Sequence, residues 1–298
     1  QKSGETTKQA GLIALRYYDK LISSEQYYDS KLAEELVKVI VRCSFEVQQE
    51  LSVIFDEILE IGSITRRDKY SKLCQYIVSS DIEILPILDT LPDYVLKIAK
   101  LLWLEPEKRN NDFYGGHEIE QYYGLRKYGH HDYFPASAFQ TPIYWLLRQH
   151  FKKTIDFVIQ FTNQTVKNYF DSKFDPTVKQ VELKLQNQNV KKQYLSDGLW
   201  SMYRGGSSPV TPYLLQSMHM ALEKYLLEIT ESTDSKIIQS WLIYILEESE
   251  SASLSAVVAS IVLAHPEKLF NVTKVLFSST EIILKDKGRS IVGEHSAK

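Results

Sequence analysis

The chain has 298 residues, 44% apolar and 24% charged, with a formal net charge of −3. That length accommodates one large domain, two medium ones or an extended repeat array, and the apolar content supplies a sizeable core. The balanced charge gives no bulk attraction for nucleic acid or an anionic membrane, and 12 glycines and 9 prolines are too few for the turns of an all-β sandwich.

The segment 1–9 is polar and has no signal-peptide pattern. The chain starts without Met and closes on a polar tail, 293–298, which suggests a piece of something longer. Thr6 or Thr7 can cap a first helix through Leu12, Leu15, Tyr18 and Ile22, with a break at Ser23-Ser24. A long helical pattern then runs from Tyr27 to Ile61, its apolar residues three and four apart, until Gly62-Ser63. A short helix over 67–78 places Tyr70, Leu73, Cys74 and Ile77 on one face. Cys43 and Cys74 lie in apolar patterns without a CxxC motif, so they read as buried free thiols of a reducing, cytoplasmic compartment. Pro86 and Pro92 punctuate the next part, and a further amphipathic helix follows Pro92.

The pattern changes at 108–140, a polar and aromatic connector with a short helical piece over 118–123. Regular structure restarts at Thr141-Pro142, a favourable cap and first helical residue, in a helix reaching toward Tyr169 and Phe170. Alternation at Val178, Val181, Leu183 and Leu185, then Asn187-Gln188-Asn189 and 190–195, predicts a β-hairpin. Thr211-Pro212 repeats the Thr-Pro start about seventy positions after the first, and another helix covers 237–246.

The stretch 253–264 carries no charge and is apolar on every side, so other helices must surround it. At about 1.5 Å per residue it spans roughly 18 Å, too short for a bilayer. A His265-Pro266 corner leads into a helix over 269–277. The whole predicts nine to eleven helices and one hairpin. The fold class is all-α, an irregular α-solenoid or helical bundle of stacked, HEAT- or armadillo-like helices. A helical subdomain spans 1–107, the connector 108–140, and a second helical subdomain 141–298 with its hairpin near 178–195.

Chemistry-bearing residues concentrate in the connector. His117, Glu118, Glu120, His130, His131 and Asp132 are the densest polar group, but their spacing matches no ligand motif and adjacent histidines point apart. They read as surface residues, and no metal or cofactor is assigned. No nucleophile-elbow, zincin, P-loop or dinucleotide-binding motif occurs, so the segment reads as non-catalytic. Arg204-Gly205-Gly206 reads as a flexible turn more simply than as a phosphate grip. The sequons at Asn163 and Asn271 fall within predicted helices and read as chance matches.

Nineteen tyrosines and four tryptophans suit contact surfaces as well as helix seams. The leading expectation is a scaffold or sensing region that meets a protein partner through Tyr122, Tyr123, Arg126, Tyr128, His130, His131 and Arg204. The competing readings are two. Arg126, Lys127, Arg148, Lys152 and Lys153 among tyrosines, with Lys179, Lys184, Lys191 and Lys192 on the hairpin, could bind nucleic acid. A metal-dependent enzyme centred on the connector is the other. No membrane partner is expected.

Two stretches carry a family resemblance. YFPASAFQTPIYWLL, over 133–147, and the run from LWSMYRGG through PYLLQSMHMALEKYLLE to SASLSAVVASIVLAHPEKLF resemble helical-repeat segments of large bacterial proteins that join a P-loop NTPase to α-helical arrays, the STAND-like ATPases. The resemblance implies a regulatory, sensing or scaffolding helical region of a larger bacterial polypeptide. Their nucleotide-binding motif does not occur in this sequence, and no functional residue carries over.

Overall fold

The computed structural model describes residues 4–23, 31–65, 68–105, 118–126, 133–185, 189–204 and 211–289. Among them are fifteen α-helices and one two-stranded antiparallel sheet. The chain divides into two compact units, Gln1–Asn111 with Trp145–Thr154, and Asp112–Tyr144 with Ile155–Lys298. The described part of the aromatic connector therefore groups with the C-terminal helices. No helix among the described residues is long and apolar enough to cross a membrane.

The first unit holds α1 (Glu5–Ile22), α2 (Lys31–Arg42), α3 (Gln48–Ile61), α4 (Ser71–Ile77), α5 (Leu85–Thr90) and α6 (Pro92–Trp103). Its core is dry: Val37, Ile40, Leu51, Phe55, Leu73, Ile87 and Val95 are fully buried. Cys43 and Cys74 are buried free thiols, and burial pushes the Cys74 thiol up to about 12. The helix expected over 27–61 is in fact two. Residues 43–47 form a turn in which Glu46 and Val47 N–H both donate to the Cys43 carbonyl, at 3.0 and 3.2 Å. Gly11 explains why α1 can lie against this turn: a Cβ there would sit 2.8 Å from Val47 Cγ1 and 2.9 Å from Cys43 Cβ. The buried positions keep their three-and-four spacing through the turn, so periodicity alone does not show the break.

The second unit begins with α7 (Ile119–Tyr122); of the next two helices, residues 145–154, with His150 and Thr154, belong to the first unit. The single helix expected after Pro142 is α8 (Ile143–Gln149) and α9 (Phe151–Ser172), separated at His150. Thr154 Oγ1 donates to the His150 carbonyl at 2.9 Å beside the Thr154 N–H at 3.0 Å. Such a hydroxyl bond to the carbonyl four residues back often accompanies a helix bend, although Thr165 makes the same bond to the Phe161 carbonyl inside unbroken α9. The hairpin forms where alternation predicts it, with β1 (Lys179–Lys184) against β2 (Val190–Leu195). Then come α10 (Asp197–Ser201), α11 (Tyr213–Ser232), α12 (Ser235–Glu248), α13 (Ala252–Ala264), α14 (Phe270–Leu276) and α15 (Thr280–Arg289).

The Thr-Pro starts work differently from expectation. Pro212 is the N-cap residue of α11, with extended ψ of 134°, and lies outside the first turn. The Thr211 carbonyl and hydroxyl both accept from Gln216 Nε2 at 2.8 Å. The Thr141 hydroxyl is buried with no hydrogen-bond partner among the described residues, so it caps nothing. Likewise Pro266 lies in a turn over 265–269, and α14 starts only at Phe270. Helix α15 is an addition to the expected set.

At the centre of this unit is α13, packed by α10, α11, α12, α14 and β2. Ten of its residues are buried, among them Leu254, Val257, Val258 and Ile261 at zero exposure. This is the helix that the uncharged run predicts, and its surroundings explain why it has no polar face.

Candidate functional site

Helix α7 is one turn long and is fixed by a reciprocal cap. The Glu118 side chain accepts from the backbone of Gln121, while the Glu118 N–H donates to Gln121 Oε1 at 3.2 Å. The turn ends at Gly124, whose φ is +69° and whose Cβ would fall 2.3 Å from Asn168 Nδ2. That amide donates to the Tyr123 carbonyl at 3.3 Å, pinning the end of α7 to α9.

This geometry sends two neighbouring tyrosines to different fates. Tyr123 is fully buried and stacks on Tyr169 at 4.1 Å, with planes 10° apart. It is core, which corrects its assignment to the contact surface. Tyr122 stays half-exposed and stacks on Phe174, 3.9 Å between centroids. Phe174 is 46% exposed. It is aimed there by Lys173, in left-handed conformation at φ 55°, and by Ser172, whose hydroxyl donates to the Tyr169 carbonyl at 2.6 Å.

Beside this stack lies an open cleft of about 420 Å³, lined by Tyr169, Phe174, Asp175, Thr177, Asp197 and Ser201 among others. Asp175 accepts from the Thr177 N–H at 2.9 Å and the Thr177 hydroxyl at 2.6 Å. Partial burial pushes its carboxyl up, but these donors, with Ser196 and Tyr169, outweigh burial and hold it below the usual range. It is therefore a carboxylate. Asp197 pairs with Lys285. Burial, then the Asp175 charge, raises the Tyr169 phenol, which stays protonated and donates to Asp175 at 3.4 Å. The cleft thus offers ring faces beside two carboxylates and hydroxyls, an arrangement suited to cationic and aromatic groups.

The remaining expected surface residues do not join this cluster. Arg126 is half-buried, and Arg204 is exposed at the end of a single 3₁₀ turn, Met202–Arg204. Tyr128, His130 and His131 lie outside the described residues, as do His117 and Asp132. Glu120 is buried in α7, and Glu118 is occupied by its cap. Among the described residues no group of three His, Cys, Asp or Glu is placed to hold a metal ion. Five of the basic residues are engaged, while Lys179, Lys184 and Lys192 stay exposed on the hairpin and Lys127 lies outside the described residues. Lys153 pairs with Asp93 at 2.6 Å, Lys191 donates to the Glu248 carbonyl at 3.4 Å, and Arg126, Arg148 and Lys152 each have neighbours that they contact.

Sequence reasoning missed a buried polar seam. His219 on α11 is fully buried, with Nδ1 2.7 Å from the Leu215 carbonyl and Nε2 2.9 Å from Ser253 Oγ. A carbonyl only accepts, so Nδ1 carries the proton and Nε2 accepts from Ser253. Burial lowers the ring to about 4, against a smaller upward effect of the Leu215 bond. Ser251 caps α13 and lies 2.8 Å from Ser253 Oγ. Ser255 donates to Gln193 Oε1 at 2.7 Å, and Gln193 Nε2 donates to the Ser249 carbonyl at 3.2 Å. The histidine–serine pair superficially looks like a nucleophile with its base. It is enclosed on all sides, so it holds α11 to α13 instead. Asn163 is also structural: its amide donates to the Glu248 carbonyl at 2.9 Å and its oxygen accepts from the Glu250 N–H at 2.8 Å.

No protein-family model and no curated protein matches this sequence.

Proposed function

We propose that this chain is a non-catalytic helical interaction module whose second unit, a helical bundle wrapped on α13, offers an aromatic rim to a protein partner. The observation that carries the reading is the Tyr122–Phe174 stack, half-exposed at the edge of the cleft and backed by the buried Tyr123–Tyr169 pair. Rings held rigid by a packed layer lose little conformational freedom on contact, which is what anchor residues of interfaces require. Asp175, held ionised beside the rings, favours a partner segment bearing a basic side chain, whereas Asp197 is already paired with Lys285.

The engaged state of Lys153, Lys191, Arg126, Arg148 and Lys152 supports a protein partner over nucleic acid. The sealed His219–Ser253 pair supports a binding role over hydrolysis. The resemblance to helical segments of STAND-like proteins adds a context, a sensing or scaffolding region within a larger bacterial polypeptide. Selection of a displayed random-peptide library on the purified chain tests the reading. Peptides with basic and aromatic residues should be enriched, and the Tyr122→Ala/Phe174→Ala double variant should lose the enrichment with its circular dichroism unchanged. Equal enrichment by the double variant would refute the rim as the contact surface.

A further inference from the structure

The sheet has an edge that its own strands leave open. Register pairs Lys179 with Leu195 through to Lys184 with Val190, and just beyond it the Leu185 N–H donates to the Asn189 carbonyl at 2.8 Å. Hydrogen-bonded pairs alternate along an antiparallel ladder. Residues 179, 181, 183 and 185 therefore point their backbone groups at β2, while Gln180, Glu182 and Lys184 point theirs away. The same alternation directs the Tyr194 N–H away from β1, and it donates to the Glu250 carbonyl at 2.8 Å. The outer side of β2 is thus covered at Tyr194, which also bridges to Ser251, while no backbone partner for Val190 or Lys192 is present among the described residues. On the outer side of β1, no backbone partner for Gln180, Glu182 or Lys184 is present among the described residues.

Side chains follow the same alternation. Val181 and Leu183 are buried, and α14 packs with β1. Gln180, Glu182 and Lys184 are exposed on the other face, with Glu182 across from Lys192. An unpaired edge is a template for another strand. The charges on this one make it complementary to itself.

We propose that the outer edge of β1 pairs antiparallel with β1 of a second copy, about a two-fold axis at Leu183. In that register Glu182 faces Lys184 of the second copy, and Lys184 faces its Glu182. All four residues point their backbone groups outward, so each facing pair exchanges two N–H···O bonds and the two sheets become one of four strands. Each Glu182 then lies between Lys192 of its own hairpin and Lys184 of the other copy, a row of alternating sign on the solvent face. Opposite charges directly across strands stabilise such pairs, and like charges oppose them. Charge on an edge strand by itself also guards against aggregation. Opposite signs two residues apart instead select one register with one partner. An overlap this short makes a weak, concentration-dependent dimer.

Sedimentation equilibrium of the full chain, carried from low to high micromolar concentration, tests the proposal. The wild type should show reversible dimerisation. Glu182→Lys and Lys184→Glu should each weaken it about tenfold or more, and the double exchange, made together with Lys192→Glu so that the pair within the hairpin is kept, should restore it, because every facing pair is then re-formed with its signs reversed. Glu182→Pro should abolish it while leaving thermal unfolding close to wild type, since that N–H takes no part in the hairpin. A wild type that stays monomeric throughout overturns the proposal. So does a dimer indifferent to these changes, or one that the double exchange fails to rescue.

Discussion

The two units solve the core problem in different ways. In the first, α2 and α3 bury Val37, Ile40, Leu51 and Phe55, and the buried polar side chains among its described residues are only Ser44, Ser71 and Thr154. In the second, α13 is just as enclosed, yet it meets its neighbours through His219, Gln193 and the serines at 249, 251, 253 and 255. A dry core is tolerant of register and insensitive to pH. A polar seam costs desolvation and is stable only when every member is satisfied, so it specifies one arrangement of α11, α13 and β2.

The comparison can be broken most forcefully in the dry unit. Phe55→Ala should cost about 3–5 kcal/mol, read by denaturant unfolding, with the same loss at pH 5 and pH 7.5. The polar unit should behave otherwise. Unfolded, the His219 ring takes its proton near 6.5; folded, it does so only near 4. Between those values the unfolded chain binds more protons, so the contribution is fully present above pH 6.5 and is lost as pH falls toward 4. The loss is about 3 kcal/mol. His219→Gln should flatten that slope, as followed through Trp200 and Trp241 fluorescence. An unchanged slope would remove His219 as its origin.

Smaller changes sharpen the same contrast. Ser253→Ala leaves His219 Nε2 without its donor and should cost about 1–3 kcal/mol. Asn163→Ala releases the segment 248–250 from α9 and should cost about 1–2 kcal/mol by the same measurement. At the rim, Tyr122→Ala should change stability by no more than about 0.5 kcal/mol, the usual range for surface positions. Tyr123→Ala, one residue on, should cost about as much as Phe55→Ala. Equal losses at the two tyrosines would contradict the division between rim and core.

Most of the framework is legible in the residues themselves. An uncharged run has one stable environment, so 253–264 announces a central helix. Lys and Glu alternating with Val and Leu announce the hairpin. The split at residues 43–47 is hidden because its buried positions stay in helical phase, and the break at His150 leaves no mark in the apolar pattern either. Helix α15, with Lys285, Asp286 and Lys287, has too narrow an apolar stripe to stand out after the helix expected over 269–277. Tyr122 and Tyr123 look alike in sequence, and only the folded turn, capped by Glu118 and pinned by the Asn168 bond to the Tyr123 carbonyl, distinguishes the buried ring from the exposed one. The seam did leave a signal. Serines 251, 253 and 255 open a helix that must be enclosed, so their hydroxyls need buried partners, and His219 and Gln193 are the side chains that answer.

Native-state hydrogen exchange at neutral pH tests most directly the claim that the second unit is organised about α13 and its seam. Amides from Leu254 to Val262 should be its slowest to exchange, opening only with global unfolding, while α7 and α15 exchange orders of magnitude faster. Exchange in α13 as fast as in α15 would contradict the account.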